Sequence, residues 1–598
     1  MVITSFVSQG CNGNNNENSS EVDAFVENLI SKMSLEEKIG QMTQVDQRYL
    51  NDPDDVRKYF LGSLLSGGGS TPPENNPLAW AEMYNGYQQN ALSTRLQIPL
   101  IYGIDAVHGH NNVVGATIFP HNIGLGCTNN PDLVREVARA TAVEVAATGI
   151  DWTFAPCVAV TQDIRWGRTY EGFSEDPDIV AELSGASVEG FQSSSLGNST
   201  SILACAKHYI GDGATTWGTG LDGKIDRGDT QLSEAELRKI HLPGYLAALE
   251  AGVGSVMASF NSWNGEKLHG HKYLLTDLLK NELSFKGFVV SDWAGIDDIP
   301  GDYKNDIANS INAGMDMVMV PGMPEGHSYA EFQQLLKEAV EEELVAQERI
   351  DDAVKRILTI KYEMGLFDEP FSDRSLLSQV GSDEHREIAR QAVRESAVLL
   401  KNDELLPLSK NIAKIHVSGK RANDVGAQCG GWTISWQGDN GDITPGTTVL
   451  KAIQNSVSSS TEVTYSMDGS NSEGATAAVV VIGEDPYAEM QGDKETLDLD
   501  PDDIAALQRI NSAGVPMVVV MLSGRPLIID DYIKNWSGFI AAWLPGTEAA
   551  GITDIIFGDY SPTGKLSYSW PKKTSQLPFN SRTENYDPLL PLGFGLSY

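Results

Sequence analysis

The 598-residue sequence predicts an α/β protein, with a (β/α)8-like, TIM-type barrel followed by a second α/β sandwich domain. Short apolar runs alternate with amphipathic helical stretches in the first 365 residues, and the alternation resumes after an interruption. The length alone also favours more than one domain. We therefore divide the chain into a signal remnant or disordered tether (1–20), a barrel domain (21–365), a linker (366–383) and a second domain (384–598).

Six short apolar runs of the first domain are typical of buried parallel strands, because both faces of such a sheet are covered by helices. They lie at 100–105, 152–160, 202–208, 255–260, 287–292 and 315–320. Amphipathic stretches predict helices at 132–147, 233–251 and 347–364. Fewer than eight strand–helix pairs are recognisable, so an incomplete or irregular barrel also agrees with the pattern.

The second domain begins after a stretch that contains Pro370 and several serines and reads as a linker. Its predicted strands lie at 413–417, 477–483, 516–522 and 539–543, and a helix is predicted at 502–513. Its glycine pair, Gly430-Gly431, lacks the spacing of a dinucleotide-binding loop. The pattern therefore argues against an oxidoreductase, and we expect no cofactor.

The charge of the chain excludes some partners. Its 43 basic and 81 acidic residues give a net charge of −38, which repels nucleic acid and anionic membrane surfaces but not a neutral ligand. The five cysteines form no pattern with zinc-ligand spacing, so we expect no metal in the functional site, and a structural metal ion elsewhere stays open. No apolar run is long enough for a transmembrane segment.

The N-terminus is short and apolar up to Gly10, followed by Cys11 and a stretch rich in Asn, Gly and Ser. This arrangement looks like the remnant of a bacterial lipoprotein signal, with Cys11 as a candidate lipid anchor. It predicts an exported protein, periplasmic or extracellular. An unmodified tail is the other interpretation.

Polar residues occur where predicted barrel strands end, and this is where barrel enzymes place their active sites. They are Asp105, Arg168, Lys207, His208, Asp292 and Trp293. Each alone has a structural explanation, and Asp292 could simply cap the next helix. Together, acidic, basic and aromatic groups on one barrel face suit a neutral polyhydroxylated ligand, because charged groups bind hydroxyls and an aromatic ring covers C–H surface.

Five motifs in order resemble glycoside hydrolase family 3, most closely the two-domain β-D-glucan exohydrolases of the plant type. They are YGIDAVHG (102–109), RWGR (165–168), AKH (206–208), VSDW (290–293) and PLGFG (591–595). The resemblance extends from about residue 22 to residue 598.

The resemblance implies a role for each candidate residue. Asp292 corresponds to the catalytic nucleophile. Glu489, the last residue of GEDPYAE (483–489), corresponds to the acid/base in preference to Glu484. Residues that hold the hydroxyls of the terminal glucose correspond to Asp105, Arg168, Lys207 and His208, and the aromatic pair that clamps the next sugar corresponds to Trp293 and Trp436.

The implied activity is that of a retaining, exo-acting β-glucosidase that forms a covalent glycosyl-enzyme. Its two carboxyl groups should lie about 5–5.5 Å apart. We expect the positive charges of Lys207 and Arg168 to keep Asp292 ionised. Because Glu489 belongs to the second domain, the site requires both domains to dock.

Several alternatives stay open at this point. Phe260 stands where many relatives carry Tyr, and Ala294 and Asp298 differ from the plant pattern near the acceptor sugar, so linkage preference is open. A β-xylosidase, a broad β-glycosidase and a non-catalytic carbohydrate-binding protein are the other candidates, and the oligomeric state is open. A β-N-acetylglucosaminidase is disfavoured, because KHYIGDG (207–213) lacks the second histidine of that subgroup.

Overall fold

The structure is a computed structural model that describes residues 14–322 and 326–598. The candidate lipid anchor Cys11 lies outside the described residues. Within them, no helix combines the length and the apolar character that a membrane crossing needs.

The first half of the chain forms a closed barrel of eight parallel strands. The barrel strands are β1 (Thr43–Asp46), β2 (Ser63–Ser66), β3 (Ile101–Ile104), β4 (Trp152–Thr153), β5 (Cys205–Tyr209), β7 (Ser255–Ala258), β10 (Phe288–Val290) and β11 (Val318–Met319). Three further short strands form a separate small sheet: β6 (Asp229–Thr230), β8 (Ser262–Trp263) and β9 (Glu266–Lys267). One parallel sheet has the order β11-β1-β2-β3-β4 and another has β10-β7-β5. Parallel bridges between Trp152 and Leu203 and between Val290 and Met317 join the two sheets.

All six predicted barrel strands are present in shorter form, and β1 and β2 were missed. Both are only four residues long and contain polar residues, such as Gln44 and Ser63, that are buried and hydrogen-bonded to each other at 2.8 Å. A strand that buries polar side chains inside the barrel carries no apolar signal in the sequence.

Helices cover the outside of the barrel. They are α1 (Asn14–Ile30), α2 (Leu35–Gln41), α3 (Asp55–Lys58), α4 (Pro77–Leu92), α5 (Asn122–Thr128), α6 (Pro131–Ala147), α7 (Pro177–Gln192), α8 (Glu234–Glu236), α9 (Pro243–Glu250), α10 (Tyr303–Ala313), α11 (Tyr329–Glu341) and α12 (Gln347–Glu363). The predicted helix 233–251 is divided into α8, a π-helical turn (Leu237–His241) and α9, because Pro243 has no N–H to continue an α-helical ladder.

The second half contains a six-stranded sheet with helices packed on it. Its elements are β12 (Val398–Asn402), β13 (Lys414–Ser418), β14 (Glu462–Ser466), β15 (Ala477–Gly483), β16 (Met517–Leu522), β17 (Gly538–Ala541), α13 (Asp383–Ser396), α14 (Val425–Cys429), α15 (Val449–Ser456), α16 (Pro501–Ser512), α17 (Asp530–Ile533) and α18 (Ala550–Ile556). The strand order is β12-β17-β16-β15-β13-β14, with only β12 antiparallel. The edge strands β12 and β14 were not predicted.

The two halves share a hydrophobic core. Four side chains from the first half pack within the core cluster of the second sheet, namely Ile123, Cys127, Ile164 and Tyr170. Because α12 ends at Glu363 and α13 begins at Asp383, we propose 21–365, 366–383 and 384–598 as the domain limits.

Candidate active site

One cavity of about 260 Å³ is lined by all eight candidate residues. They are Asp105, Arg168, Lys207, His208, Asp292, Trp293, Trp436 and Glu489. The barrel residues lie at or beyond the carboxyl ends of their strands, the end at which barrel loops form sites. Trp436 and Glu489 come from the second half of the chain, so the cavity lies where the two halves meet.

One oxygen of the Asp292 carboxylate has no hydrogen-bond partner among the described residues. Its Oδ1 accepts the Trp293 backbone N–H at 2.7 Å, and the Asp292 N–H donates to Nε2 of His269 at 3.0 Å. Its Oδ2 is buried and has no hydrogen-bond partner among the described residues, and it lies 3.7 Å from Nε2 of His208. A carboxylate oxygen without a hydrogen bond is available to a ligand, because no hydrogen bond has to be broken before it reacts.

Burial raises the pKa of Asp292 to about 6, more than the positive charges of Arg168 and Arg227 lower it. The sequence argument that Lys207 and Arg168 keep this group ionised was therefore incomplete, because it counted attraction and left out desolvation. A carboxyl group with a pKa of about 6 is still mainly ionised at neutral pH.

Lys207 and Asp105 form a buried ion pair. Lys207 Nζ donates to Asp105 Oδ1 at 3.1 Å, and the two side chains are 2% and 13% exposed. Burial would lower the pKa of Lys207, but the attractions of Asp105 and Glu171 together outweigh it and the pKa is raised. Burial likewise raises the pKa of Asp105, against the opposing attraction of Lys207. Lys207 Nζ also lies 5.7 Å from the ring centre of Trp432, a lining residue that was not predicted.

Arg168 connects the two candidate catalytic regions. Its guanidinium donates to Glu171 at 2.9 Å, to Glu489 Oε1 at 3.2 Å and to Nε2 of His208 at 3.1 Å. Nε2 must therefore accept, which places the His208 proton on Nδ1, where Asp212 Oδ2 lies 2.9 Å away. Burial, followed by repulsion from Arg168, holds the pKa of His208 well below its usual value, so this histidine is neutral.

Glu489 enters the site from a turn of the second half (Glu489–Gly492) and contacts two arginines of the barrel. Arg168 binds its Oε1, and Nη2 of Arg227 lies 3.5 Å from its Oε2. The Arg227 guanidinium is stacked 3.7 Å from the ring centre of Phe260. Glu484, by contrast, does not line the cavity and is held by Tyr487, Lys494 and Arg525.

The loop after β2 separates the two candidate stacking residues. A Cβ on Gly68 would lie 2.6 Å from Cα of Trp436, and a Cβ on Gly67 would lie 3.5 Å from the indole of Trp293. The Arg48 guanidinium lies over the Trp293 ring, 5.9 Å from its centre. Larger residues at the two glycines would therefore narrow the space between Trp293 and Trp436 or displace Trp436.

One group of side chains among the described residues could in principle hold a metal ion: Cys157, His208 and Asp212. The Arg168 guanidinium beside His208 opposes a further cation there. Burial also raises the pKa of the Cys157 thiol to about 12, so the thiol stays protonated. We assign no metal to this group.

Arg227, Trp432, Glu171 and His269 are the main site residues that the sequence did not reveal. Arg227 and Trp432 lie in loops without a hydrophobic period. Glu171 follows RWGR by three residues, and its spacing to Arg168 was the one available signal, because residues three apart meet on a helical turn.

Comparison with known proteins identifies the chain at the level of a family. Residues 34–360 match the glycosyl hydrolase family 3 N-terminal domain, and residues 397–598 match the C-terminal domain of the same family. The chain is 33% identical to the lysosomal beta glucosidase of Dictyostelium discoideum, over 96% of this chain and 76% of that protein. It is 30% identical to a beta-xylosidase of Formosa agariphila, over 97% of this chain and 79% of that protein. The crystal structure of an exo-1,3/1,4-beta-glucanase from a Pseudoalteromonas species is 42% identical with a TM-score of 0.90, over 96% of this chain and 74% of that chain.

Proposed function

Because this chain belongs to glycosyl hydrolase family 3 and is a glycoside hydrolase, we propose that it is a retaining, exo-acting β-glucosidase. In this proposal it removes terminal non-reducing β-D-glucosyl residues from β-glucans, from cello- and laminari-oligosaccharides and from β-glucosides. The names of the lysosomal beta glucosidase and of the exo-1,3/1,4-beta-glucanase support this substrate class.

A single observation carries the proposal. Two carboxyl groups from separate halves of the chain, Asp292 and Glu489, line the same cavity and are connected through Arg168 and His208. A retaining glycosidase needs one carboxylate to attack C1 and one to transfer a proton. Asp292 has the free oxygen, and Glu489 lies on the other side of the arginine.

In the first step, Asp292 Oδ2 attacks the anomeric carbon as the glycosidic C–O bond breaks. Glu489 gives its proton to the leaving oxygen, so the aglycone departs as a neutral alcohol. In the second step, Glu489 takes a proton from water, and the resulting hydroxide attacks C1 and releases Asp292. The sugar leaves with the same anomeric configuration as the substrate.

The remaining groups bind the hydroxyls of the terminal sugar. The Lys207–Asp105 pair, Arg168 and neutral His208 supply buried donors and acceptors, and such groups discriminate strongly because they lose their partners when a hydroxyl is missing. The cavity volume of about 260 Å³ is below the usual range for drug-sized ligands, which suits a chain end more than an internal segment. Trp293 and Trp436 would then hold the next sugar.

A β-xylosidase is the second candidate, because one relative carries that name. Xylose lacks only the CH₂OH group of glucose, so an aryl β-xyloside competes directly for the same position. We also propose that the protein is exported. The sequence around Cys11 supports this proposal, as does the lysosomal relative.

The test compares aryl β-glucosides with aryl β-xylosides and follows the released sugar by NMR. We expect preference for the glucoside and initial release of the β anomer. Asp292→Ala should lower kcat by several orders of magnitude. Glu489→Ala should lose kcat/KM mainly on substrates with poor leaving groups, which need its proton. Azide should raise kcat on substrates with good leaving groups, because it attacks the glycosyl-enzyme without a general base. Initial release of the α anomer, or normal turnover by Asp292→Ala, would contradict the mechanism.

A further inference from the structure

We propose that Asp493 is a positioning residue that anchors the Glu489 turn to the barrel and so fixes the place of the proton donor. The inference rests on the proposed role of Glu489 as acid/base. Asp493 follows the Glu489–Gly492 turn, is 4% exposed and does not line the cavity.

Both oxygens of the Asp493 carboxylate bind backbone N–H groups of the barrel. Oδ1 accepts from Gly167 at 2.8 Å, and Oδ2 accepts from Asp226 at 2.9 Å and from Ile225 at 3.3 Å. These two loops continue directly into Arg168 and Arg227, the arginines that contact Glu489. One side chain therefore sets both arginines and the glutamate relative to one another. We call these three hydrogen bonds the Asp493 anchor.

Neighbouring contacts complete the connection between the two halves. The Lys494 N–H donates to the carbonyl of Arg165 at 3.1 Å. Arg525, fully buried, donates to the Gly492 carbonyl at 2.5 Å and to the Arg165 carbonyl at 3.0 Å. The anchor thus satisfies N–H groups of the barrel loops, while Arg525 satisfies carbonyl groups on both sides of the same junction.

The backbone at Glu489 needs such a restraint. Its φ is 52°, in the left-handed region that residues other than glycine rarely adopt, and strained residues persist only where their surroundings hold them. The fit against the barrel is also close, since a Cβ on Gly167 would lie 1.9 Å from the Glu489 carbonyl oxygen. A shift of either loop is therefore transmitted directly to the proton donor.

Asp493→Asn is the informative change, because it keeps the shape of the side chain and removes half of its acceptors. An amide has one carbonyl oxygen, so it can accept from Gly167 or from the Ile225–Asp226 pair but not from both sides. On the other side, the NH₂ group of the asparagine would face backbone N–H groups, and no hydrogen bond can form because both groups are donors. We expect the Glu489 turn to move, and a displacement of about 1 Å at a reacting group can lower the rate about 100-fold.

The measurement is kcat/KM over a series of β-glucosides with leaving groups of increasing pKa. Loss of acid positioning lowers the rate only where the leaving group needs a proton. We expect kcat/KM of Asp493→Asn to fall about 100-fold on an alkyl or methoxyphenyl glucoside and to change little on 2,4-dinitrophenyl glucoside. Azide should raise kcat on 2,4-dinitrophenyl glucoside, because it attacks the glycosyl-enzyme without a general base. A merely structural role would lower all substrates by a similar factor.

Asp554→Asn is the matched control. Asp554 is also a buried carboxylate of the second half, bound at 2.7 Å by both Arg390 and Arg394, but it lies on α18 and does not contact the barrel loops named above. We expect it to lower Tm without steepening the leaving-group dependence. Gly167→Ala approaches the same junction from the barrel and should steepen that dependence, even if Asp493→Asn folds poorly.

The outcomes separate the inference from the proposed function. If Glu489→Ala itself shows no steeper leaving-group dependence than the wild type, the role of Glu489 is wrong. If Glu489→Ala shows it while Asp493→Asn and Gly167→Ala do not, the role of Glu489 stands and the Asp493 anchor is overturned.

Discussion

Asp292→Asn should stabilise this protein at neutral pH while removing its activity. The substitution is nearly isosteric: the amide oxygen can still accept the Trp293 N–H, and the NH₂ group takes the place of Oδ2, which has no hydrogen-bond partner among the described residues. What changes is the charge. A carboxylate that is only 14% exposed loses much of its hydration on folding.

The magnitude follows from the pKa of Asp292, which burial raises from 3.8 to about 6. The folded protein holds this proton more tightly than the unfolded chain, so stability is lost as pH rises from about 4 to about 6 and stays reduced above that range. At about 1.36 kcal/mol per pKa unit, the cost approaches about 3 kcal/mol at pH 7.5 and is about 1 kcal/mol at pH 4.5. Asparagine removes the cost at both pH values.

The assay is thermal unfolding of the wild type and Asp292→Asn at these two pH values. For unfolding of the barrel domain (21–365, about 350 residues), an entropy of about 2.1 cal/mol/K per residue makes 3 kcal/mol correspond to a rise in Tm of about 4 °C. The rise should shrink to about a third at the lower pH. Activity should be lost at both, because an amide is not a nucleophile here.

Asp554→Asn again serves as the control, with the opposite sign. Burial alone would raise the pKa of Asp554, but Arg390 and Arg394 outweigh burial and lower it, so its charge contributes stability that is lost as pH falls. This variant should melt below the wild type at neutral pH. If Asp292→Asn gives no rise in Tm, or a rise that is the same at both pH values, burial does not govern the pKa of Asp292 and the argument fails.

Three further predictions concern activity. The acid limb of kcat/KM should lie near pH 6, because Asp292 must be ionised and its pKa is about 6; a pH profile on an aryl glucoside measures it, and a limb below pH 5 would contradict the assignment. Phe260→Tyr adds a hydroxyl to a residue that lines the same cavity, and a donor to the carboxylate should move that limb to lower pH; an unmoved limb means that the hydroxyl does not reach Asp292. Trp436→Ala should raise KM for laminari- or cello-oligosaccharides by up to about tenfold through lost ring contact, while KM for methyl β-glucoside stays nearly constant; equal effects on both would place Trp436 outside the acceptor position.

The sequence predicted the elements whose signal is local. The strand at 477–483 was predicted with its observed limits, because seven consecutive buried apolar or small residues leave one interpretation. The helix 347–364 was within one residue of α12 for the same reason. β1 was missed, because it buries polar side chains whose hydrogen-bond partners, such as Ser63, the sequence alone does not identify.

The candidate site was predictable to the extent that fold topology determines it. Parallel barrel strands present their carboxyl ends on one face, so Asp105, Lys207 and Asp292 were expected to converge once a barrel was predicted. Arg227 and Asp493 lie in loops whose importance depends on which loop of the other half they meet. The spacing of residues along the chain does not indicate which loops of the two halves come into contact.

The sequence by itself determined the fold class, the family and the chemical types of the groups available for reaction, because these depend on patterns among neighbours and on ordered motifs. Only the tertiary structure decided how those groups behave. The pKa of Asp292 is set by the balance of burial against the charges of Arg168 and Arg227. Burial and the distances between charges come from packing segments that lie hundreds of residues apart, such as Arg168 and Glu489, against each other.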